Sequence, residues 1–320
     1  MPASERVASA TKLCTTLAFV LLAATVACCA AFVGVPHVAA AAGGDVSGQV
    51  SFGGQERTYL VHAPAGTDHP TGLVINLHGT GGNGGEQAAL TNYDSAADGQ
   101  GFVVVYPDGV DRSWADGRGV SPADRKGVDD VGFLVALADQ LVHQYGIDPG
   151  RVFATGMSAG AFMVNRLACD RADVIAAIAP VSGTLGAGVA CNPSQPVAVL
   201  QTHGTDDPVV PYHGGTMHGR GGDSQVVGAP ELSSRWRALD QCPSPPGKDA
   251  LPSTGDGTIV HRATSGGCAD GTEVVLVRVD GGGHQWPSGT SPHPKDWLGK
   301  TTNAFDASLS SAQFFAAHGR

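Results

Sequence analysis

Residues 152–160 of the 320-residue chain read VFATGMSAG, an apolar run that leads into the pattern G-x-S-x-G. The run predicts a buried strand, and the residues from Ala159 onward predict a helix. A sharp turn between such elements lifts the serine hydroxyl above the edge of a sheet and crowds its neighbours, so both flanking residues must be small. We therefore predict a nucleophile at Ser158. The alternative is a serine that only caps a helix in a glycine-rich turn.

Further strands and helices are predicted on both sides of this turn. Buried strands are predicted at 73–77, 102–106, 151–155, 175–181, 197–202 and 273–279, with an opening strand or hairpin at 49–63. Helices are predicted at 129–145 (N-cap Asp129 or Asp130), 159–172, 231–239 and 304–318. This alternation predicts an α/β fold, a mostly parallel sheet with helices on both faces. Residues 216–227 and 243–257 are polar and rich in glycine and predict surface loops.

A base must take the proton of a nucleophilic serine, and in the α/β-hydrolase fold an acid and then a histidine follow the serine along the chain. His284 follows the strand predicted at 273–279 through the sequence DGGG, a turn flexible enough to direct an imidazole towards Ser158. The other histidines precede the expected position, lie in a mid-chain loop or fall in the closing helix. We therefore predict His284 as the base.

Two adjacent carboxylates follow the strand predicted at 197–202 and are candidates for the acid. Pro208 restricts Asp207 to an extended conformation, a fixed geometry that suits a carboxylate holding an imidazole. We predict Asp207 as the acid and Asp206 as a residue that caps the turn. His203 is predicted to form a structural hydrogen bond in the same turn.

The negative oxygen that develops in ester hydrolysis needs two fixed hydrogen-bond donors. We predict the backbone N–H groups of Ala159 and Thr80, the latter in the glycine-rich loop 78–82 after an early strand. Residues 79–84 also fit G-x-G-x-x-G, but the acid expected at the end of a dinucleotide-binding unit is not in its place. Substrate-pocket residues are predicted at Met157, Trp114 and Trp286, with core packing as the alternative for both indoles. We expect neither a metal nor a cofactor.

Composition limits the partners. The chain contains 46 Gly and 20 Pro without a Gly-X-Y period, and its formal net charge is −10. No run of Lys and Arg is present, whereas binding to nucleic acid phosphates needs clustered basic residues. We therefore expect a small or oligomeric ester substrate and no nucleic acid.

Residues 1–42 are predicted to be a signal peptide or an N-terminal anchor, and 43–320 a single catalytic domain. Arg6 and Lys12 precede an apolar run at 17–35, and small residues at 38–42 offer cleavage sites. The run is just long enough to span a bilayer, and Cys28 is a candidate for lipidation. We expect a secreted protein, or one attached to a membrane through this segment only.

Four cysteines lie outside the predicted leader, an even number that suits an oxidising compartment. Four cysteines allow three pairings. Disulfides Cys169–Cys191 and Cys242–Cys268 are predicted, because each closes a short segment between core elements.

An ordered set of motifs covers residues 50–318. It comprises LHG (77–79), YPDG (106–109), SW (113–114), VDDVGF (128–133), GMSAG (156–160), HGTDDP (203–208) and GGGHQWP (281–287). In this order the set resembles the polyhydroxybutyrate depolymerase esterase family, which includes secreted feruloyl and acetylxylan esterases. The resemblance implies an α/β-hydrolase fold, ester hydrolysis without a cofactor, and the triad predicted above.

The resemblance leaves the substrate open. No appended substrate-binding module or Ser/Thr-rich linker stands out, which favours hydroxyalkanoate oligomers or short aliphatic esters over crystalline polymer. Feruloyl or acetyl esters of plant polysaccharide are the alternative. A serine peptidase and a catalytically inactive cell-surface binding protein are the rival classes, although the three triad residues argue against the second.

Overall fold

The computed structural model describes residues 44–290 and 296–320. The predicted leader and Cys28 lie outside the described residues. The strands are β1 (Gly44–Phe52), β2 (Gln55–Ala63), β3 (Gly72–Leu77), β4 (Phe102–Pro107), β5 (Val152–Met157), β6 (Ala177–Val181), β7 (Ala198–Gly204), β8 (Gly214–Gly219), β9 (Gly222–Val227), β10 (Gly247–Ala250), β11 (Ile259–Ser265) and β12 (Val274–Asp280). The helices are α1 (Gly84–Thr91), α2 (Tyr93–Gln100), α3 (Pro122–Arg125), α4 (Asp130–Tyr145), α5 (Ala159–Asp170), α6 (Ala229–Leu239) and α7 (Ala307–Ala317).

Ten of the described strands form one sheet in the order β1-β2-β4-β3-β5-β6-β7-β12-β11-β10. The six central strands, from β4 to β12, are parallel to one another, and the strands at both edges pair antiparallel. Every residue of β3, β4 and β5 is buried, because helices cover both faces of the sheet there. The predicted α/β fold is confirmed.

Alternate residues of the central strands pack into two separate cores, one on each face of the sheet. Ile75 belongs to the core that α4, α5 and α6 cover, and its neighbour Val74 belongs to the core on the other face. In the second core Phe153 of β5 stacks on Phe315 of α7, with ring centroids 4.9 Å apart. Packing on both faces holds the central strands in place, and the loops that carry the predicted functional residues follow the carboxyl ends of these strands.

The prediction of a surface loop at 216–227 is wrong. Most of this segment belongs to the antiparallel hairpin β8–β9, which forms a separate two-stranded sheet. Half of the residues in its two strands are exposed, so its sequence lacks the apolar alternation that marks a strand. Met217 and Val226 pack with Phe162 of α5 and attach the hairpin to the main body. The predicted loop at 243–257 contains β10, a four-residue edge strand whose residues are all exposed.

The two predicted disulfides, Cys169–Cys191 and Cys242–Cys268, are both present. The first joins the end of α5 to the segment before β7. Among the helices that the structure describes, none is long and apolar enough to cross a bilayer.

Candidate active site

Four parallel strands of the sheet deliver the predicted functional residues to one edge. Strands β3, β5, β7 and β12 run in the same direction, separated only by β6 between β5 and β7. The loop with Thr80, then Ser158, Asp207 and His284 each follow the carboxyl end of one of these strands. In open α/β sheets this edge is where ligands bind.

Ser158 lies on a sharp turn between β5 and α5, with φ 57° and ψ −120°, a conformation that L-residues rarely adopt. The flanking glycines are required by close contact. A methyl group on Gly160 would stand 2.1 Å from the carbonyl oxygen of Leu77, and one on Gly156 would stand 2.7 Å from the same oxygen. The Ser158 side chain makes no capping hydrogen bond to α5. Its hydroxyl is therefore available for chemistry instead of serving as a helix cap.

Asp207 and His284 are hydrogen-bonded. The Nδ1 atom of His284 lies 2.8 Å from Oδ2 of Asp207. Oδ1 of Asp207 accepts hydrogen bonds of 2.8 Å from the backbone N–H groups of Val209 and Val210. Asp206 is exposed and bonds to the hydroxyl of Thr205, so the carboxylate beside Pro208 is the one that reaches the imidazole.

The electrostatics keep the Asp207 carboxylate ionised. Burial alone would raise the pKa of Asp207, but the hydrogen bond from the His284 imidazole and the N–H of Val210 outweigh burial and hold it below its usual value. Since an ionised carboxylate only accepts hydrogen bonds, Nδ1 of His284 carries the hydrogen. Nε2 of His284 is thereby left with a lone pair that can accept a proton.

His203 is a second buried imidazole beside the same carboxylate, and it bonds as predicted. Its Nε2 donates to the carbonyl oxygen of Val210 at 3.0 Å and lies 3.5 Å from Oδ2 of Asp207. Burial lowers the pKa of His203, which therefore stays neutral at pH 7. The residue fixes the turn that holds Asp207.

The turn before His284 was predicted to be flexible, but close packing holds it. The N–H of His284 donates to the carbonyl of Leu298 at 2.7 Å, and the N–H of Gly283 donates to the carbonyl of Lys300 at 2.8 Å. A methyl group on Gly283 would stand 2.0 Å from the Leu298 oxygen. The glycine therefore allows the close approach of two backbone segments, and this approach fixes the backbone of His284.

The loop after β3, residues 78–82, lies against Ser158. A methyl group on Gly79 would stand 3.4 Å from Cβ and 4.0 Å from Oγ of Ser158. His78 anchors the loop, since its Nδ1 donates to the carbonyl of Gly79 and its Nε2 accepts from the N–H of Gly109. Neither the N–H of Thr80 nor that of Ala159 donates to any residue that the structure describes. Both N–H groups are therefore without an acceptor among the described residues.

Two predicted pocket residues lie in the core. Trp114 is fully buried, and its Nε1 donates to the carbonyl of His78 at 2.9 Å. Trp286 is buried, and its Nε1 donates to the hydroxyl of Ser308 at 3.1 Å. This burial does not support the predicted pocket role, and Trp114 instead supports the loop with Thr80. Met157, directly before the nucleophile, is also buried.

Two exposed side chains close to this edge were missed by the sequence analysis. Trp297 is 60% exposed and directly precedes Leu298, the residue that binds the backbone of His284. Arg220, at the tip of the β8–β9 hairpin, reaches the loop with Thr80. No motif marks either residue, because tertiary contacts between distant segments place both of them.

Comparison with known proteins identifies the family of the chain. The sequence model described as "Esterase PHB depolymerase" matches residues 57–218. The chain belongs to this esterase family. The chain is a serine hydrolase that acts on carboxylic ester bonds.

Two relatives of this esterase illustrate the range of the similarity. "Putative esterase NocK" of Nocardia uniformis subsp. tsuyamanensis is 32% identical over 280 residues, which cover 82% of this chain and 79% of the relative. "Feruloyl esterase B" of Piromyces equi is 30% identical over 71% of this chain, and the match spans 42% of the longer relative. Among solved structures, an acetyl xylan esterase from Aspergillus awamori superposes with a TM-score of 0.51 at 16% identity, over 75% of this chain and 94% of the other. The last comparison supports the α/β-hydrolase fold alone.

Proposed function

We propose that the protein is an exported esterase in which Ser158 is the nucleophile, His284 the general base and Asp207 the residue that orients it. The Ser158 hydroxyl attacks the ester carbonyl carbon as Nε2 of His284 takes its proton. The carbonyl oxygen becomes negative and binds the N–H groups of Thr80 and Ala159. Its collapse releases the alcohol, which receives the proton from His284. A water molecule activated by His284 then attacks the acyl-serine and releases the acid.

The observation that carries this proposal is the 2.8 Å contact between Asp207 and His284, at the sheet edge where Ser158 lies. The contact sets the tautomer that leaves Nε2 free to act as a base. The Ser158 hydroxyl makes no hydrogen bond to a residue that the structure describes, so its approach to Nε2 is part of the proposal. Catalytic hydrogen bonds often tighten only when the substrate binds.

As substrates we propose hydroxyalkanoate oligomers or short aliphatic esters, in keeping with the family. Feruloyl or acetyl esters of plant polysaccharide are a second candidate. Trp297, exposed beside the segment that fixes His284, favours an aromatic or sugar ring, and the Piromyces relative is named a feruloyl esterase. Neither chemistry requires a cofactor or a nucleic acid partner.

Export is proposed on chemical grounds. Both disulfides suit an oxidising compartment, and 1–42 has the composition of a leader or anchor. Any membrane attachment would run through this N-terminal segment.

The proposal is tested with Ser158→Ala, assayed on 4-nitrophenyl butyrate. We expect kcat to fall by at least about 10⁴-fold, and labelling by a fluorophosphonate probe to disappear. Ser182→Ala is the matched control, because Ser182 follows the neighbouring strand β6 and its hydroxyl donates to the carbonyl of Gln285 at 3.1 Å. The control should keep the label and lose less than about tenfold in kcat. Full turnover by Ser158→Ala would refute the proposal, and an unlabelled wild-type protein would favour the inactive binding protein.

The two substrate classes are separated by comparing kcat/KM for a soluble hydroxybutyrate oligomer and for methyl ferulate. A preference for the oligomer supports the first candidate. A preference for methyl ferulate supports the second and gives Trp297 a role in binding the aromatic ring.

A further inference from the structure

The arginine at the tip of the β8–β9 hairpin lies against the loop that holds Thr80. A methyl group on Gly81 would stand 3.2 Å from Nη1 of Arg220, so the guanidinium packs beside the residue that follows Thr80. The same loop contacts Ser158 through Gly79. Three consecutive residues, 79 to 81, thus connect the nucleophile to a positive charge, and the α-carbons of the outer two are no more than about 7 Å apart.

The hairpin tip is docked onto the body of the protein, which gives Arg220 a defined position. Nη1 of Arg125, in α3, donates to the carbonyl of Gly221 at 3.2 Å. A methyl group on Gly221 would stand 2.1 Å from the carbonyl oxygen of Val120. Nη1 of Arg118 lies 3.2 Å from the sulfur of Met217 on β8. Contacts at the tip and along β8 therefore hold the hairpin over this side of the site.

Arg220 has no acidic partner among the residues that the structure describes. Two acids of the same region, Glu86 and Asp223, are each bound to another basic side chain. Glu86, beside the same loop, accepts both of its close hydrogen bonds from Arg112, at 2.8 and 2.9 Å. Asp223, on the hairpin itself, binds Nδ1 of His218 at 2.9 Å. In a chain with a net charge of −10, Arg220 thus presents an exposed guanidinium beside the loop with Thr80, without an acidic partner among the described residues.

We infer that Arg220 is a specificity-determining residue that favours esters bearing a carboxylate, such as oligomers with a free acid end. A guanidinium offers several N–H donors in a fixed plane and recognises a carboxylate through paired hydrogen bonds. The site would therefore take soluble, negatively charged esters in preference to neutral ones of the same length. This inference rests on the proposed function, because it concerns the substrate of the same site.

The test compares two pairs of esters, each pair differing by one carboxylate. In the first pair, the mono-4-nitrophenyl ester of adipic acid carries the charge on the acyl chain and is compared with 4-nitrophenyl hexanoate. In the second, 3-acetoxybenzoate carries the charge on the alcohol side and is compared with phenyl acetate. The ratio of kcat/KM, charged over neutral, is measured for wild type and for Arg220→Gln.

We expect Arg220→Gln to lower this ratio about threefold to fivefold for at least one pair, and Arg220→Glu to lower it further. Lys248→Gln is the matched control, since it removes one positive charge from the exposed edge strand β10 and should leave both ratios unchanged. The wild-type ratio should also fall as ionic strength rises, because salt screens the attraction.

Each failure has a distinct signature. If wild type hydrolyses the neutral esters and neither ratio changes in Arg220→Gln, the inference is wrong and the proposed function stands. An equal loss on charged and neutral esters also overturns the inference, since it would indicate a contribution to the reaction itself. If wild type and Ser158→Ala are equally inactive on all four esters, the proposed function fails.

Discussion

A buried aspartate lies beside each end of strand β7, and the two carboxyl groups are held in opposite ways. At the carboxyl end Asp207 binds two backbone N–H groups and His284, and its pKa lies below the usual value. At the amino end Asp240 accepts a bond from the N–H of Val197 at 3.1 Å, while its Oδ2 is buried and meets no donor among the described residues. Burial raises the pKa of Asp240 to about 7.

The comparison shows that burial alone does not decide the charge of a carboxyl group. The number of donors that converge on it, and a nearby imidazole, can outweigh the loss of hydration. The difference also follows the architecture, since catalytic groups gather at the carboxyl ends of parallel strands and the opposite end of the sheet is free to serve stability.

The largest expected effect comes from removing the charge at the catalytic end. Asp207→Asn should lower kcat by about 10⁴-fold while the protein remains folded, because an amide can stabilise the wrong tautomer of His284. Circular dichroism and 4-nitrophenyl butyrate hydrolysis measure the two properties. Asp206→Asn is the control, since Asp206 is exposed beside Asp207 and should retain nearly full activity. A larger loss in Asp206→Asn than in Asp207→Asn would reverse the assignment of the acid.

At the other end of β7, Asp240→Asn should change the pH dependence of stability. The folded-state pKa of about 7 lies above the ordinary 3.8, so the contribution of Asp240 is complete below about pH 4 and is lost as pH rises through 7. The variant lacks this loss, and its free energy of unfolding should gain about 2–4 kcal/mol relative to wild type between pH 4 and pH 8. Urea unfolding across this range measures the difference.

Asp68→Asn is the control for this measurement, because Asp68 is exposed, lies outside the helices and strands, and forms no ion pair with a described residue. This control should follow wild type at every pH. Identical pH profiles for wild type and Asp240→Asn would contradict the raised pKa. The catalytic activity of Asp240→Asn at pH 8 should match that of wild type, because Asp240 lies at the opposite end of β7.

A smaller effect is expected from His203, the other imidazole beside Asp207. His203→Gln keeps a donor for the carbonyl of Val210 but loses the ring, and it should cost about 1 kcal/mol in the free energy of unfolding. We expect kcat/KM to fall less than about tenfold, since His284 still meets Asp207. If kcat/KM fell as far as in Asp207→Asn, His203 would take part in proton transfer. His284 would then not be the only base.

The sequence was most informative where one residue type satisfies a strict local demand. The glycines around Ser158 and the proline after Asp207 belong to short motifs that can be recognised without coordinates, although the carbonyl oxygen that crowds the glycines belongs to Leu77 on β3. The apolar runs of β3, β4 and β5 are continuous because both faces of these strands are covered.

The features that were missed depend on contacts between distant segments. The β8–β9 hairpin is a strand pair whose exposed residues carry no apolar alternation, and its tip meets the loop with Thr80 only in the folded chain. For Trp114 the sequence left a pocket and the core as alternatives, and the buried position depends on its bond to the carbonyl of His78, 36 residues earlier in the chain. The turn before His284 is rigid because residues 298–300 pack against it, and a run of glycines by itself indicates only freedom.

The two oxyanion donors proposed here are peptide groups, and every amino acid except proline supplies the same N–H. In an alanine scan, Thr80→Ala would therefore keep its backbone N–H, and Ala159 is already alanine. The scan would not measure how much these amides contribute to the rate. Their share becomes visible only when the backbone itself is altered, for instance by replacing one amide with an ester linkage during chemical synthesis of the chain.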